Sequence, residues 1–317
     1  MCNECGRSFS DRTFRSTYWL KRPDIFLRIA RGLVSCSGYR QLAAGLGVSP
    51  QTVARHASRL GRQALLFHES MRKRKPVEEP IALDSFVSFV YSQYFPVHFH
   101  FAIGRESHFV YGFTESEVRR SGTMTAAQRA RRAFLERTLG KPDPKAREKD
   151  VAALLEIVFK DAKVVHLTTD EDQAYPRAIR RSGLEIPQFT ISSRAERTPW
   201  NPLFAVNLHD LQIRHGSSNH KRETISFSKL LSAAIERMWL HLVWKNYVKP
   251  FSEKKGGATP AQRAGFTDRK WTFRQIFRRR RFPDRIGVPE RWKPHLEGTT
   301  PTRAVASRKI VPFRFTY

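Results

Sequence analysis

The apolar residues in the first part of the chain recur every three or four positions, which predicts three helices. The first helix is predicted over residues 23–34. The second ends between Gly45 and Gly47, and the third begins at Pro50 with Ser49 as its N-cap. We therefore expect a small helical unit at the start of the chain.

From residue 81 the apolar pattern changes to an alternation of β-branched and aromatic residues, which predicts strands. The basic segment 71–80, which contains two prolines, is interpreted as a linker and a domain boundary. Strands are predicted at 81–94, 97–104, 108–113, 162–170 and 186–193, and helices at 125–140, near 150, at 175–183 and within 202–248. This order predicts an α/β fold. A basic tail follows from Lys254, and we expect it to be only partly ordered.

The composition restricts the partners and the compartment. The 317 residues include 57 Lys and Arg against 29 Asp and Glu, a net charge of +28 that favours a polyanion as partner. Hydrophobic residues make up 40% of the chain, which predicts a folded body rather than a disordered basic tail. Three cysteines cannot form a disulfide framework, and no apolar stretch is long enough to span a bilayer. We expect a cytoplasmic, nucleic-acid-associated protein.

The Gly-Val-Ser-Pro turn between the second and third helices is typical of a helix-turn-helix, whose second helix enters the major groove of DNA. Residues near the start of that helix would contact base edges, and residues further along would contact phosphates. The candidates for base contacts are Gln51, Thr52, Arg55 and His56, and the candidates for phosphate contacts are Arg59 and Arg62. The alternative is an ordinary helical hairpin in a small bundle.

Cys2 and Cys5 form the C-x-x-C half of a zinc knuckle. A structural zinc ion requires four ligands, and the third cysteine, Cys36, lies far along the chain with no histidine nearer than His56. We interpret residues 1–20 as the remnant of a zinc ribbon that lacks its other ligand pair. Because only two of the four ligands are present, we favour a chain without bound Zn²⁺.

Carboxylates occupy strand positions where metal-dependent chemistry is expected. Asp84 lies in the apolar first strand, where a carboxylate requires a partner. Asp170 and Asp172 come at the end of the strand predicted at 162–170. Carboxylates on neighbouring strand ends can hold two Mg²⁺ ions, one activating the attacking oxygen of a phosphodiester cleavage and the other stabilising the leaving oxygen. For Asp172 we favour the simpler role of capping the next helix.

The order of these features resembles DDE-type transposases of bacterial insertion sequences. The matching pieces extend from the cysteine knuckle to about residue 276. They are YRQLAAGLGVSPQTVARHASRLG, IALDSF, TTDEDQAYPRAI, HKRETISFSK, NYVKP and ATPAQRAGFTDRKWT. The resemblance implies an RNase H-like mixed sheet with flanking helices, with Asp84 on its first strand and Asp170 on its fourth, preceded by a small α-helical helix-turn-helix domain.

This resemblance also divides the chain into four parts. They are a zinc-ribbon remnant at 1–20, a helix-turn-helix domain at 21–75, an RNase H-like catalytic domain at 76–250 and a basic tail at 251–317.

The chain departs from the family at the third acidic residue. The family has a glutamate on the helix after the last strand, and the matching position here is Asn207, 37 residues after Asp170 (207 − 170 = 37). An amide oxygen can ligate Mg²⁺ but contributes no charge. The alternatives are Asp210, one helical turn later, and Glu223, 53 residues after Asp170 (223 − 170 = 53). We favour Asn207.

The resemblance implies a transposase that binds the ends of its own element as a homo-oligomer on double-stranded DNA and cuts and rejoins phosphodiesters with Mg²⁺. A DNA-binding regulator, or a decayed transposase without catalysis, would explain the helix-turn-helix equally well. A basic RNA-binding structural protein would explain only the charge. Convergence of Asp84 and Asp170 with a third oxygen ligand would favour the enzyme over both alternatives.

Overall fold

Five strands form one mixed sheet in the computed structural model, which describes residues 1–252 and 256–305. Within the sheet β1 is antiparallel to β2 and β2 to β3, whereas β1, β4 and β5 run parallel. The spatial order is β3-β2-β1-β4-β5, for strands β1 (Ile81–Phe89), β2 (Pro96–Gly104), β3 (Val110–Glu117), β4 (Leu167–Thr169) and β5 (Gln188–Thr190). The expected α/β class with a mixed sheet is confirmed.

Eleven helices are present in the part of the chain that the structure describes, beside several single helical turns. The first eight are α1 (Phe26–Leu33), α2 (Tyr39–Leu46), α3 (Pro50–Arg72), α4 (Ala126–Leu139), α5 (Ala146–Phe159), α6 (Ala174–Ser182), α7 (Phe204–Gly216) and α8 (Leu231–Val243). α8 continues as a π-helical turn over Trp244–Val248. Three short helices follow, α9 (Pro260–Arg263), α10 (Phe273–Ile276) and α11 (Lys293–Glu297).

Helices cover both faces of the sheet. α7 packs against β1 and β2, where the ring of Phe101 lies 4.8 Å from that of His209, and α8 places Trp239 4.6 Å from Phe113. On the opposite face α5 packs against β2 and β3. Because Asp84 pairs with Phe101 in the β1–β2 register, its side chain lies on the face covered by α7.

α3 joins the helical first part of the chain to the sheet domain. The hydroxyl of Ser49 accepts a hydrogen bond from the Thr52 N–H group at 3.2 Å, which confirms the predicted N-cap. The later part of α3 packs along α8 so closely that a Cβ atom added at Gly61 would lie 2.5 Å from the Cα atom of Glu236. One continuous hydrophobic core includes residues of both parts. Residues on both sides of the segment 71–80 therefore belong to one core, and the division of the chain into four parts stays a prediction.

Several predicted elements are shorter or interrupted, among them the strands predicted at 81–94 and 186–193, which are reduced to β1 and β5. The strand predicted at 162–170 is reduced to β4, and the N–H group of Lys163 donates instead to the carbonyl oxygen of Val77 at 2.9 Å. The helical region predicted over 202–248 is divided into α7 and α8. The segment that joins them contains one short helical turn, Ser218–His220, and is otherwise irregular.

The C-terminal part bears on a further prediction. We expected the tail from Lys254 to be only partly ordered, and of this tail Lys254, Lys255 and residues 306–317 lie outside the described residues. Over residues 256–305 the chain is packed on the core, with Phe273, Ile276 and Trp292 all buried. The segment is packed despite its high positive charge, because burial of these apolar side chains stabilises the folded form.

Candidate functional site

Asp84 and Asp170 lie side by side on neighbouring strands. β1 and β4 pair in parallel with Ile81 opposite Leu167, an offset of 86 residues (167 − 81 = 86). The same offset sets Asp84 beside Asp170 (84 + 86 = 170), the first residue after β4. Side chains at equivalent positions of paired strands point to the same face of a sheet. The structure therefore brings these two predicted carboxylates together.

Asp84 is partly buried and accepts two hydrogen bonds. The N–H group of Ser85 donates to its Oδ1 atom at 2.6 Å, and the hydroxyl of Tyr175, on α6, donates to the same atom at 3.3 Å. Burial raises the pKa of Asp84 to about 6 despite these bonds, and the negative charge of Asp170 contributes to the rise. A cation placed beside Asp84 would favour its ionised form.

The turn after β4 separates the roles of Asp170 and Asp172. Burial raises the pKa of Asp170, and the charge of Asp172 adds to this effect. Asp172 accepts a hydrogen bond from the N–H group of Ala174 at 2.9 Å and pairs with the guanidinium of Arg147 at 2.5 Å. Asp172 therefore bonds to the first residue of α6 from the position before its N-cap, Gln173, and Asp170 is the acid beside Asp84.

A third carboxylate, that of Asp210 on α7, interacts electrostatically with Asp84. Asp210 is partly buried, and its Oδ1 atom has no hydrogen-bond partner among the described residues. Burial raises the pKa of Asp210 to about 8, the charge of Asp84 adds to the rise, and that of Arg214, one turn further along, opposes it. An effect of one carboxylate on another requires that they be close. We call Asp84, Asp170 and Asp210 the aspartate cluster.

The other two candidates for the third position differ from Asp210. Asn207 precedes Asp210 by one helical turn and lies on the same face of α7. Glu223 is exposed in the irregular segment after α7. Asp210 is the carboxylate of this face that interacts electrostatically with Asp84, and the choice of Asn207 as third metal ligand stays a prediction.

A positive charge beside the aspartate cluster was missed in the sequence. Arg197 precedes α7, and its side chain is exposed. The positive charge of its guanidinium opposes the rise in the pKa of both Asp84 and Asp210. The exposed Trp200 follows three residues later. The run Arg-Thr-Pro-Trp-Asn-Pro, an aromatic residue between two prolines in a predicted loop, is the sequence feature that could have drawn attention to both.

The donor chemistry of the aspartate cluster fits a hard divalent cation. Carboxylate oxygens are the ligands that Mg²⁺ prefers, and the buried Oδ1 atom of Asp210 lacks a partner. Within residues 1–252 and 256–305, no group of three or more His, Cys, Asp or Glu side chains is arranged to hold an ion as it stands. The three carboxylates would therefore have to move closer together to share one.

The start of α3 presents the exposed part of the predicted helix-turn-helix. Gly47 adopts a left-handed conformation (φ 62°) that ends α2, and α3 begins three residues later. Gln51 and Arg55 are exposed and Thr52 is partly exposed. These three side chains are accessible to a nucleic acid.

The other three candidates for DNA contact are buried, which corrects the sequence prediction. A ring nitrogen of His56 lies 3.0 Å from the carbonyl oxygen of Arg22, and Arg59 donates to backbone carbonyl groups of the N-terminal segment. Arg62 is 1% exposed and pairs with Glu236 of α8. α3 is enclosed by other segments from its second turn onward, so these side chains bind protein groups and not phosphates.

The N-terminal knuckle has the backbone form of a tight turn. The N–H group of Gly6, in a left-handed conformation (φ 65°), donates to the carbonyl oxygen of Cys2 at 3.0 Å. Hydrogen bonds from the backbone of Cys5 lower the pKa of the Cys2 thiol. Cys36 belongs to another part of the fold, where its N–H group donates to Gly216 at 2.8 Å. Among the described residues the pair Cys2 and Cys5 remains half of a zinc ligand set.

Comparison with known proteins adds no relative. No protein-family model matches the chain, and no curated protein matches its sequence. None of the helices in the described ranges is long and apolar enough to cross a membrane. The functional interpretation therefore depends on the fold, the aspartate cluster and the charge of the chain.

Proposed function

We propose that the protein is a DDE-type transposase of the insertion-sequence kind, which binds DNA and cuts and rejoins its phosphodiesters. The observation that carries the proposal is the aspartate cluster. Its members come from three distant parts of the chain, Asp84 in β1, Asp170 just after β4 and Asp210 in α7, and Asp84 interacts electrostatically with each of the other two. Carboxylates are not normally crowded in a partly buried site without a function that requires them.

The sheet topology supports the same proposal. The resemblance implies a mixed sheet with flanking helices. The order β3-β2-β1-β4-β5, with three antiparallel strands beside two parallel ones, is compatible with such a sheet. The acids stand on the first strand, after the fourth strand and on the helix that follows the fifth, which are the positions that the resemblance implies.

The residues around the cluster have separate roles in this proposal. Asp84, Asp170 and Asp210 would hold divalent metal, which supplies activation of the attacking oxygen and stabilisation of the leaving oxygen. Tyr175 fixes the position of the Asp84 carboxylate through its hydrogen bond. Arg197 would bind a phosphate oxygen of the DNA at the edge of the cluster.

Double-stranded DNA, the ends of the element and its target, is the proposed partner. The net charge of +28 provides the non-specific attraction, and Gln51 and Arg55 at the start of α3 provide side chains that can reach base edges. We further propose that the protein acts in the cytoplasm as a homo-oligomer on DNA, since cutting two ends in one event requires two active sites.

The test is cleavage of a supercoiled plasmid that carries the DNA flanking the gene, measured with Mg²⁺. Asp84→Asn, Asp170→Asn and Asp210→Asn should each lower cleavage by more than about 100-fold. Mutation of a residue that only orients a metal ligand already lowers activity by about 10- to 100-fold, and loss of a ligand itself should cost more. The Glu223→Gln variant is the matched control and should retain cleavage. Asn207→Ala should retain most of it.

Binding and stability measurements complete this test. Each aspartate variant should bind DNA and melt at or above the wild-type temperature, because it replaces a carboxyl group whose ionisation is opposed by burial with a neutral amide. Full cleavage by Asp210→Asn together with inactive Glu223→Gln would overturn the placement of the third acid. Absence of cleavage by the wild-type chain, with DNA binding intact, would support the non-catalytic alternative.

A further inference from the structure

The most exposed tryptophan among the described residues is Trp200, with 91% of its surface accessible. It lies in the loop between β5 and α7, four residues before α7 begins. An indole ring has a large apolar surface whose exposure to water is unfavourable, so full exposure on a folded protein indicates a surface used for binding.

The loop that carries Trp200 is held in place by hydrogen bonds. The N–H group of Asn201 donates to the carbonyl oxygen of Thr198 at 3.0 Å, and the side-chain amide of Asn201 donates to the carbonyl oxygen of Glu196 at 2.8 Å. The Oδ1 atom of Asn201 accepts a hydrogen bond from the Leu203 N–H group at 2.8 Å. Proline residues on both sides restrict the backbone further. The ring of Trp200 is therefore presented on an ordered loop.

Trp200 forms one wall of a cleft of about 270 Å³. Pro80, Arg105, His108 and Phe204 also line this cleft. Its volume lies just below the range of about 300–1,000 Å³ typical of small-molecule sites, which suits one planar ring system. Cationic and aromatic side chains side by side are the combination that binds unpaired nucleotides, because bases stack on the ring and phosphates pair with the cation.

The cleft is close to the aspartate cluster. Phe204, in the cleft wall, precedes Asp210 by six residues of α7, a rise of about 9 Å. Arg197, three residues before Trp200, acts electrostatically on both Asp84 and Asp210. A strand of DNA whose phosphate lies at the cluster can therefore place a neighbouring nucleotide at Trp200.

We propose that Trp200 stacks against an unpaired base of the DNA strand next to the phosphodiester that is cut, with Arg105 and Arg197 binding the flanking phosphates. The inference rests on the proposed function, since DNA is taken as the partner. It adds a binding site for a single unpaired nucleotide, separate from the helix-turn-helix, and predicts that the duplex is opened at the cluster.

The probe is a forked duplex with oligothymidine arms, compared with a fully paired duplex of the same length, in binding measurements without divalent metal. The wild-type chain should prefer the fork. Trp200→Ala should lower fork affinity by about 5- to 100-fold and leave affinity for the paired duplex unchanged. Trp200→Phe keeps a stacking ring and should retain most of the preference. Trp19→Ala is the matched control, since Trp19 is 69% exposed in the N-terminal segment.

The binding result can be separated from the result for catalysis. Unchanged fork preference in Trp200→Ala, or no fork preference in the wild-type chain, overturns the stacking site even if the aspartate variants abolish cleavage. Loss of the preference in Trp200→Ala but not in Trp19→Ala supports it even if the wild-type chain cuts nothing. An equal loss of fork and duplex binding in Trp200→Ala would mean a general structural role and would also overturn the proposal.

Discussion

The guanidinium of Arg62 in α3 lies 3.5 Å from the carboxylate of Glu236 in α8, and both side chains are almost completely buried. The hydroxyl of Ser58 donates a second contact to the same carboxylate at 2.6 Å. Burial raises the pKa of Glu236 to about 7 even with these partners, so the pair is held at a cost in desolvation. It connects the first helical part of the chain to the helix that covers the sheet.

Removal of one partner from this pair should destabilise the protein more than removal of both. Arg62→Met leaves a buried carboxylate without its cation and should lower the free energy of unfolding by about 3–5 kcal/mol. The double variant Arg62→Met, Glu236→Leu should lose less than Arg62→Met alone. Urea denaturation of the wild type, both single variants and the double variant measures the coupling. Additive losses would contradict the close pairing.

Gly61 tests how closely α3 and α8 pack. A Cβ atom at this position would lie 2.5 Å from the carbonyl oxygen of Glu236, so Gly61→Ala should force the helices apart and destabilise the protein by about 1–3 kcal/mol. Gly45→Ala is the matched control, because Gly45 is helical and a Cβ there would meet nothing within 4 Å. That change should stabilise the protein by about 0.5–1 kcal/mol. Thermal denaturation should show opposite shifts.

Arg55 and Arg59 should have different effects on DNA binding. Arg55 is exposed near the start of α3, and Arg55→Ala should lower affinity for specific DNA by about 1–3 kcal/mol without changing stability. Arg59 is 5% exposed and bonded to backbone carbonyl groups, so Arg59→Ala should lower the melting temperature instead. Gel shifts over a range of salt concentrations, beside melting curves, compare the two. Loss of DNA affinity in a fully stable Arg59→Ala variant would restore the original phosphate assignment.

Lys245 should make stability depend on pH in the alkaline range. It is buried, donates to the carbonyl oxygen of His108 at 2.5 Å, and burial lowers its pKa to about 7 from 10.5. The unfolded chain therefore binds more protons between pH 7 and 10.5, and the free energy of unfolding should rise with pH there by up to about 1.4 kcal/mol per unit. Below pH 7 the side chain of Lys245 is protonated in both the folded and the unfolded chain, so it adds no further dependence of stability on pH.

Lys245→Met should flatten this dependence in urea denaturation from pH 7 to 10. The nearby His209 and His241 have pKa values lowered by burial, so they titrate below this window and do not change the slope. Lys221→Met is the control, since Lys221 is exposed. An unchanged slope in Lys245→Met would show that its ammonium group is hydrated.

Local rules predicted the features that depend on a few neighbouring residues. Ser49 and Pro50 specify the start of α3, and Gly140 and Gly183 specify the ends of α4 and α6, because caps depend only on side chains within one turn. Burial of Arg59 was not predictable in this way. Its partners belong to the N-terminal segment, more than forty residues away in sequence.

The aspartate cluster shows the same limit within the candidate site. Asp84 and Asp170 could be identified because a carboxylate at a buried strand position is unusual in any sequence. Asn207 and Asp210 lie on the same face of one helix, so spacing along the chain cannot decide between them. The decision depends on how α7 is placed against β1, which is a property of tertiary packing.

α3 is one uninterrupted helix of 23 residues, about 34 Å long, and its later part is fixed to α8. The end that would read DNA and the acids that would cut it therefore belong to one rigid body. In a transposase built in this way, the interval between the recognised bases and the cut phosphodiester is fixed by the protein. One inserted base pair would turn the cut site by roughly 35° about the duplex axis, since a helical turn has about 10–10.5 base pairs. Helical phasing along the DNA would therefore limit which element ends the enzyme can use.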